Sequence, residues 1–179
     1  MGHLVYDTHD ISRLTLFMFL TILTNMSASL HKVFVYGTLK TGEPNHYWFD
    51  KDKEGYYKFL FNAKTKEKFP LIIATEFNIP FLLYSPGSGQ NVMGEVYEVD
   101  DKVLAKLDIL EEHPDFYVRE LYDVVRSDGD NEIVKVWIYM IKKFKPDYLT
   151  HTTYENYSSH GSHGRPYSTS DASTLDDLN

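Results

Sequence analysis

The chain has 179 residues, of which 42% are hydrophobic and 25% charged, with a formal net charge of −8 at pH 7 and no cysteine. That length and balance suit one globular domain with tails. The acidic sum argues against a nucleic-acid partner, whose phosphates need a basic face. The missing cysteines exclude disulfides, thiolate nucleophiles and Cys-based zinc sites.

Residues 1–29 read as an N-terminal extension that the fold can dispense with. Their apolar run, Leu14 to Leu23, is shorter than the roughly 20 residues of a membrane span. Its length suits a signal-peptide core, in which case the protein is secreted and Asn25 and Asn156 become glycosylation candidates. Asp7 and Asp10 offset Arg13 where such a peptide needs a basic flank, and Met26 is itself a natural start. The reading adopted is therefore a cytoplasmic protein, with no membrane role for the core domain.

The domain is expected over 30–157. "KVFVY" (Lys32 to Tyr36) reads as a short buried strand, and the polar, aromatic stretch from Lys40 to Lys58 as loop with a helical turn. "FPLIIAT", "FLLY" and "VMGEVYEV" follow as three strands, the last preceded by the turn Pro86 to Asn91. "YVRELYDVVR" and "EIVKVWIYMI" are longer strands joined by a hairpin at Asp128-Gly129. One helix runs from Asp101 to about Glu112, with Asp100 as its N-cap. Six short strands with few helices predict an α+β fold, a small curved or barrel-like mixed β sheet with helices against it. Residues 158–179 are poor in apolar side chains and rich in Ser, Gly and His, a polar tail expected to be largely disordered at its end.

On a helix at about 100° per residue, with Leu104 at zero, Leu107 falls near 300°, Leu110 near 240° and Val103 near 260°. Glu111 falls near 340°, on that apolar stripe, whereas Asp108 near 40° and Glu112 near 80° point toward its edge or solvent. Two readings of Glu111 stand. The helix can fray ahead of Pro114 and release the side chain to water. Alternatively, Glu111 is buried at a helix C-terminus, where lost solvent and the helix dipole both raise its pKa and make it a candidate general base. Gly37, at the end of the first strand, likewise opens either an ordinary turn or a loop whose N–H groups hold negative charge. The Gly87 to Gly89 stretch lacks the Lys-Ser/Thr of a phosphate loop, and Ser88 has no G-x-S-x-G context. The eight His show no metal-ligand spacing, so no metal is expected.

Four stretches in order, "VFVYGTLKTGEPNH", "PLIIATEFNIPFLLYSPGSG", "GEVYEVD" and "LDILEEHPDFYVR", closely resemble the gamma-glutamylcyclotransferase family, and within it the gamma-glutamylamine cyclotransferase, AIG2-like, branch. The resemblance covers about residues 31–157; beyond it, "SHGRPY" in the tail is loosely similar to the family's C-terminal His-Gly and Arg-Tyr pattern. It implies a substrate loop at Tyr36, Gly37, Thr38 and Leu39 and a catalytic glutamate at Glu111. It further implies a cofactor-independent enzyme acting on a small γ-glutamyl substrate such as ε-(γ-glutamyl)-lysine, whose α-amine attacks its own γ-amide to release 5-oxoproline and an amine. Two alternatives remain at this level: the same chemistry on γ-glutamyl amino acids or peptides, and a binding module that keeps the fold without turnover.

Overall fold

The structure, a computed structural model, describes residues 29–161 and 163–168. Most of the N-terminal extension, including the run Leu14 to Leu23 and Asn25, lies outside the described residues, as do residues 162 and 169–179. The described elements run in the order β1 (Leu30–Val35), a 3-10 segment (His46–Lys53), β2 (Tyr57–Thr65), β3 (Leu71–Ala74), β4 (Ile79–Leu82), β5 (Met93–Asp100), α1 (Asp101–Leu110), β6 (Tyr117–Arg126), β7 (Ile133–Ile141) and a short 3-10 turn (Pro146–Thr150). Five strands close into a barrel in the order β1-β5-β2-β6-β7, and β3 and β4 form a separate two-stranded hairpin. Neighbouring barrel strands are antiparallel except where β1 meets β7 in parallel, with Val33 opposite Trp137. The sheet is therefore mixed and barrel-like, as expected from the strand count.

Burial on both faces explains the apolar runs that end β1 (Val33 to Val35) and β7 (Val136 to Ile141). Side chains alternate across a strand, so Val33 and Val35 join one core cluster while Phe34 and Tyr36 join another. The first cluster includes Val103, Leu104 and Leu107 of α1 and Phe49 of the 3-10 segment, and so forms the layer between sheet and helix. The second draws Phe34, Phe61, Val96, Val124 and Ile138 from all five barrel strands. Asp100 caps α1 as its sequence position suggests, its Oδ1 accepting from Val103 N at 2.9 Å.

The sequence reading assigns no strand to Tyr57–Thr65, where the structure has β2. Its period-2 signal is broken by a register shift between Phe59 and Phe61. Ahead of the shift Phe59 is 43% exposed, and only beyond it do Phe61, Ala63 and Thr65 alternate as buried positions.

Gly94 shows how closely the barrel is drawn together. A Cβ there would lie 2.4 Å from Val35 O and 2.5 Å from the Phe34 ring. Gly94→Ala is expected to lower folding stability by about 2–3 kcal/mol through overpacking, read as a lower urea midpoint with an unchanged slope.

Candidate functional site: a cavity between the first strand and the end of the helix

β1 ends at Val35, and the chain turns at once. Lys40 N donates to Gly37 O at 3.1 Å and Asn45 N donates to Thr38 O at 2.9 Å. These bonds use the turn's carbonyls and leave the N–H groups of Gly37, Thr38 and Leu39 outside its own hydrogen bonding. Glycine at 37 is a packing requirement, because a Cβ would meet Pro80 Cγ of β4 at 2.7 Å.

The turn is pinned from several sides. Asn45 Nδ2 donates to Thr38 Oγ1 at 3.0 Å, and the Thr41 N–H and hydroxyl both donate to Glu95 Oε2, at 2.8 and 3.0 Å. Lys40 is buried, and its ammonium donates to Asn156 Oδ1 at 2.7 Å and Tyr157 O at 2.5 Å. Burial lowers its pKa, against the opposing pull of Glu43 and Glu95.

Opposite the turn, α1 ends at Leu110, and Glu111 is its C-cap with φ −86° and ψ 3°. The last helical hydrogen bond, Glu111 N to Leu107 O at 2.9 Å, still holds this residue on the helical path. Glu112 then takes φ +48° and the chain reverses, returning through Tyr117 N to Glu111 O at 3.2 Å. The reversal leaves Glu111 half-buried on the cavity wall, in contrast to the exposed Glu112 beside it.

Tyr36, Gly37, Thr38, Leu39 and Glu111 line one cavity of about 220 Å³. The structure thus brings together all five residues that the sequence marks as candidates. The rest of the wall includes Asn45, Ile79, Pro80, Phe116, Tyr117, Tyr139 and Tyr167, which sequence reasoning did not single out. Asn45 falls inside a stretch that carries the family resemblance, but nothing in its local pattern shows that it pins Thr38. The tyrosines read as core residues, as most buried tyrosines are.

Electrostatically the cavity is one-sided. Among the described lining residues Glu111 and Glu112 are the acidic side chains, and there is no Lys, Arg or His. Glu111 has no ion-pair or hydrogen-bond partner for its carboxylate among the described residues. Burial alone pushes its pKa up to about 8. Its charge in turn helps to raise the pKa values of Tyr36, Tyr117 and Tyr139, for which burial is the larger cause. These phenols donate hydrogen bonds to other acceptors: Tyr36 to Tyr139 O at 2.9 Å, Tyr117 to Pro80 O at 3.3 Å and Tyr139 to Asp108 Oδ1 at 2.6 Å.

Asp108, placed toward the edge or solvent by the helical wheel, is the anchor behind the site. It also accepts both Nε and Nη2 of Arg119, at 2.9 and 3.0 Å, and the Arg119 guanidinium stacks 4.6 Å over Trp137. One carboxylate thus ties α1, β6 and β7 together one turn before Glu111. Chemically the cavity can take a proton from an ammonium group on the Glu111 side. On the side of the turn it can offer N–H groups to developing negative charge.

Residues 33–159 match the family described as gamma-glutamyl cyclotransferase, AIG2-like, and the chain belongs to that family of cyclotransferase enzymes. It is similar to gamma-glutamylaminecyclotransferase B of Danio rerio, 44% identical over 149 residues that cover 82% of this chain and 78% of that one. It is also similar to gamma-glutamylaminecyclotransferase of Mus musculus, 42% identical over 141 residues, 76% of this chain and 95% of that one. The crystal structure of an AIG2-like protein from Mus musculus superposes with a TM-score of 0.76 at 39% identity, covering 80% of this chain and 99% of that chain. Among the described residues, no cluster of three or more His, Cys, Asp or Glu could hold a metal ion, and no helix is long and apolar enough to cross a membrane.

The raised pKa of Glu111 makes stability depend on pH. An unfolded Glu titrates near 4.5 and the folded one near 8. The stability associated with the neutral carboxyl is therefore complete below about pH 4.5 and is lost as pH rises through about 8. Glu111→Gln escapes that loss. Its melting temperature is expected to match wild type at pH 4 and to exceed it at pH 9 by roughly 5–10 °C, corresponding to about 2–4 kcal/mol.

Proposed function

We propose that the protein converts γ-glutamylamines such as ε-(γ-glutamyl)-lysine into 5-oxoproline and the free amine, with Glu111 as the proton-transfer group. The observation that carries this reading is an unpaired carboxylate with a pKa of about 8, set in a cavity walled by the Tyr36 to Leu39 turn. The names of the Danio rerio and Mus musculus relatives support the amine branch.

In this reaction the substrate supplies both nucleophile and electrophile, so holding it folded removes most of the entropic barrier and no cofactor is required. The α-ammonium first loses a proton, and the neutral nitrogen attacks the γ-carbonyl carbon. A C–N bond forms and the carbonyl oxygen becomes an oxyanion, which the Gly37, Thr38 and Leu39 N–H groups stabilise. Glu111 takes the proton from the attacking nitrogen and gives it to the amide nitrogen that leaves. Collapse of the intermediate breaks the old amide bond. The lactam nitrogen keeps one of the ammonium's three protons, the other two depart with the product amine as its ammonium form, and Glu111 returns to its starting state. A carboxyl with a pKa near 8 suits both transfers, because neither protonation state is strongly disfavoured at working pH.

Mass-spectrometric detection of 5-oxoproline from ε-(γ-glutamyl)-lysine, with γ-glutamyl-alanine in parallel, tests the reading. Wild type is expected to release 5-oxoproline with a preference for the amine substrate. Its kcat/KM should fall about tenfold per pH unit below roughly 8, as Glu111 becomes protonated. Glu111→Gln is expected to lose about 10²–10⁴-fold in kcat while staying folded. Wild-type turnover in the variant would remove Glu111 from the mechanism.

We place the enzyme in the cytoplasm, with residues 1–29 dispensable to the domain, on the strength of the poor signal-peptide flank and the start available at Met26. Removal of residues 1–25 is expected to leave melting temperature and turnover unchanged; a large fall in either would make the extension part of the domain.

A further inference from the structure

After β7 the chain passes once more over the cavity. Tyr157 is fully buried, and His163 stacks on its ring at 5.9 Å with an interplanar angle of 15°. Arg165 Nη1 donates to Ile73 O at 2.9 Å. The next residues are fastened to the turn between β3 and β4: Asn78 Nδ2 donates to Pro166 O at 2.8 Å and Ser168 N donates to Phe77 O at 3.0 Å. These two bonds bracket Tyr167, which forms part of the cavity wall and lies near enough to Tyr157 to help raise that phenol's pKa, after burial.

Four phenols line the cavity. The hydroxyls of Tyr36, Tyr117 and Tyr139 are spent on protein acceptors. The Tyr167 hydroxyl has no hydrogen-bond partner among the described residues. A half-buried phenol on the wall thus keeps an uncommitted donor, beside a cavity that has two carboxyl groups and, among its described lining residues, no Lys or Arg. On the reading proposed above, every substrate carries an α-carboxylate into this space. Lacking a cation there, the carboxylate must be met by neutral donors, and a charge-assisted hydrogen bond is the strongest use a free phenol can find.

We propose that the Tyr167 hydroxyl donates a hydrogen bond to the α-carboxylate of the γ-glutamyl group, which makes the segment around residues 163–168 a working part of the substrate site. Asn78 is then a positioning residue that acts through Tyr167. This inference rests on the proposed γ-glutamyl reading, but binding can test it without turnover.

The full chain would be titrated with 5-oxoproline and with 2-pyrrolidinone, the same lactam without the carboxylate, following chemical shifts by NMR. Wild type is expected to prefer 5-oxoproline. Tyr167→Phe should weaken 5-oxoproline binding roughly tenfold or more and leave 2-pyrrolidinone within about twofold. In turnover, KM should rise while kcat changes little. Asn78→Gly tolerates the φ of +58° at that position and removes the amide that holds Pro166. It should weaken 5-oxoproline alone and add nothing in the Tyr167→Phe background. Equal losses for both lactams, no loss for either, or a wild type indifferent to the carboxylate would overturn the assignment of Tyr167. Additive losses in the double variant would overturn the role of Asn78. A wild type that discriminates between the lactams yet releases no 5-oxoproline from γ-glutamylamines would sink the proposed reaction and leave this carboxylate contact standing.

Discussion

A carboxylate without a cation, held at the end of α1, is the constraint around which the domain is arranged. Burial raises the pKa of Glu111 to about 8, so keeping it charged in the folded state costs stability that other parts of the chain must offset. The offset comes from a closed barrel with apolar clusters on both faces of its strands, where hydrophobic burial is the dominant favourable term. A nearby Lys or Arg would ionise Glu111 cheaply and lower its pKa, and with it the basicity that the proposed proton transfer requires. Arg119, behind the site, is instead committed to Asp108 in a bidentate pair.

That pair shows how positioning and chemistry are divided. Asp108 and Glu111 lie one helical turn apart. Asp108 is held by Arg119 and Tyr139 and fixes α1 against β6 and β7. Glu111 is left without a partner and faces the cavity. Two carboxylates on one short helix thus take opposite roles through their environments alone. The turn after β1 is treated in the same way: its carbonyls and side chains are held by Asn45, Glu95 and the segment at Asn156 and Tyr157, while the N–H groups of Gly37, Thr38 and Leu39 are kept out of the turn's own bonding. In the reaction proposed above, donors fixed in advance need no reorganisation when charge develops.

Legibility in the sequence followed the range of the interaction. Strands with a regular pattern, such as β6 and β7, and the cap at Asp100 are local signals. β2 is hidden because a bulge shifts its alternation midway. The position of Asp108 on the helical wheel is correct as geometry, but the wheel contains no partners, and those lie 11 and 31 residues further along. Tyr167 sits in a stretch whose composition reads as polar tail, and only its tethers to Phe77 and Asn78 place it on the wall.

The sequence by itself determined the fold class, the helix with its misplaced glutamate, the break at Gly37 and, through four stretches in order, the family. Each of these rests on periodicity, turn chemistry or local spacing, which a chain carries before it folds. The tertiary structure decided what those features face: that Glu111 and the Tyr36 to Leu39 turn share one cavity, that no described cation joins them there, and that a phenol from the far end of the chain closes the wall. Burial and the presence or absence of a partner are properties of the packed molecule. The same glutamate in an unpacked helix would titrate near 4.5.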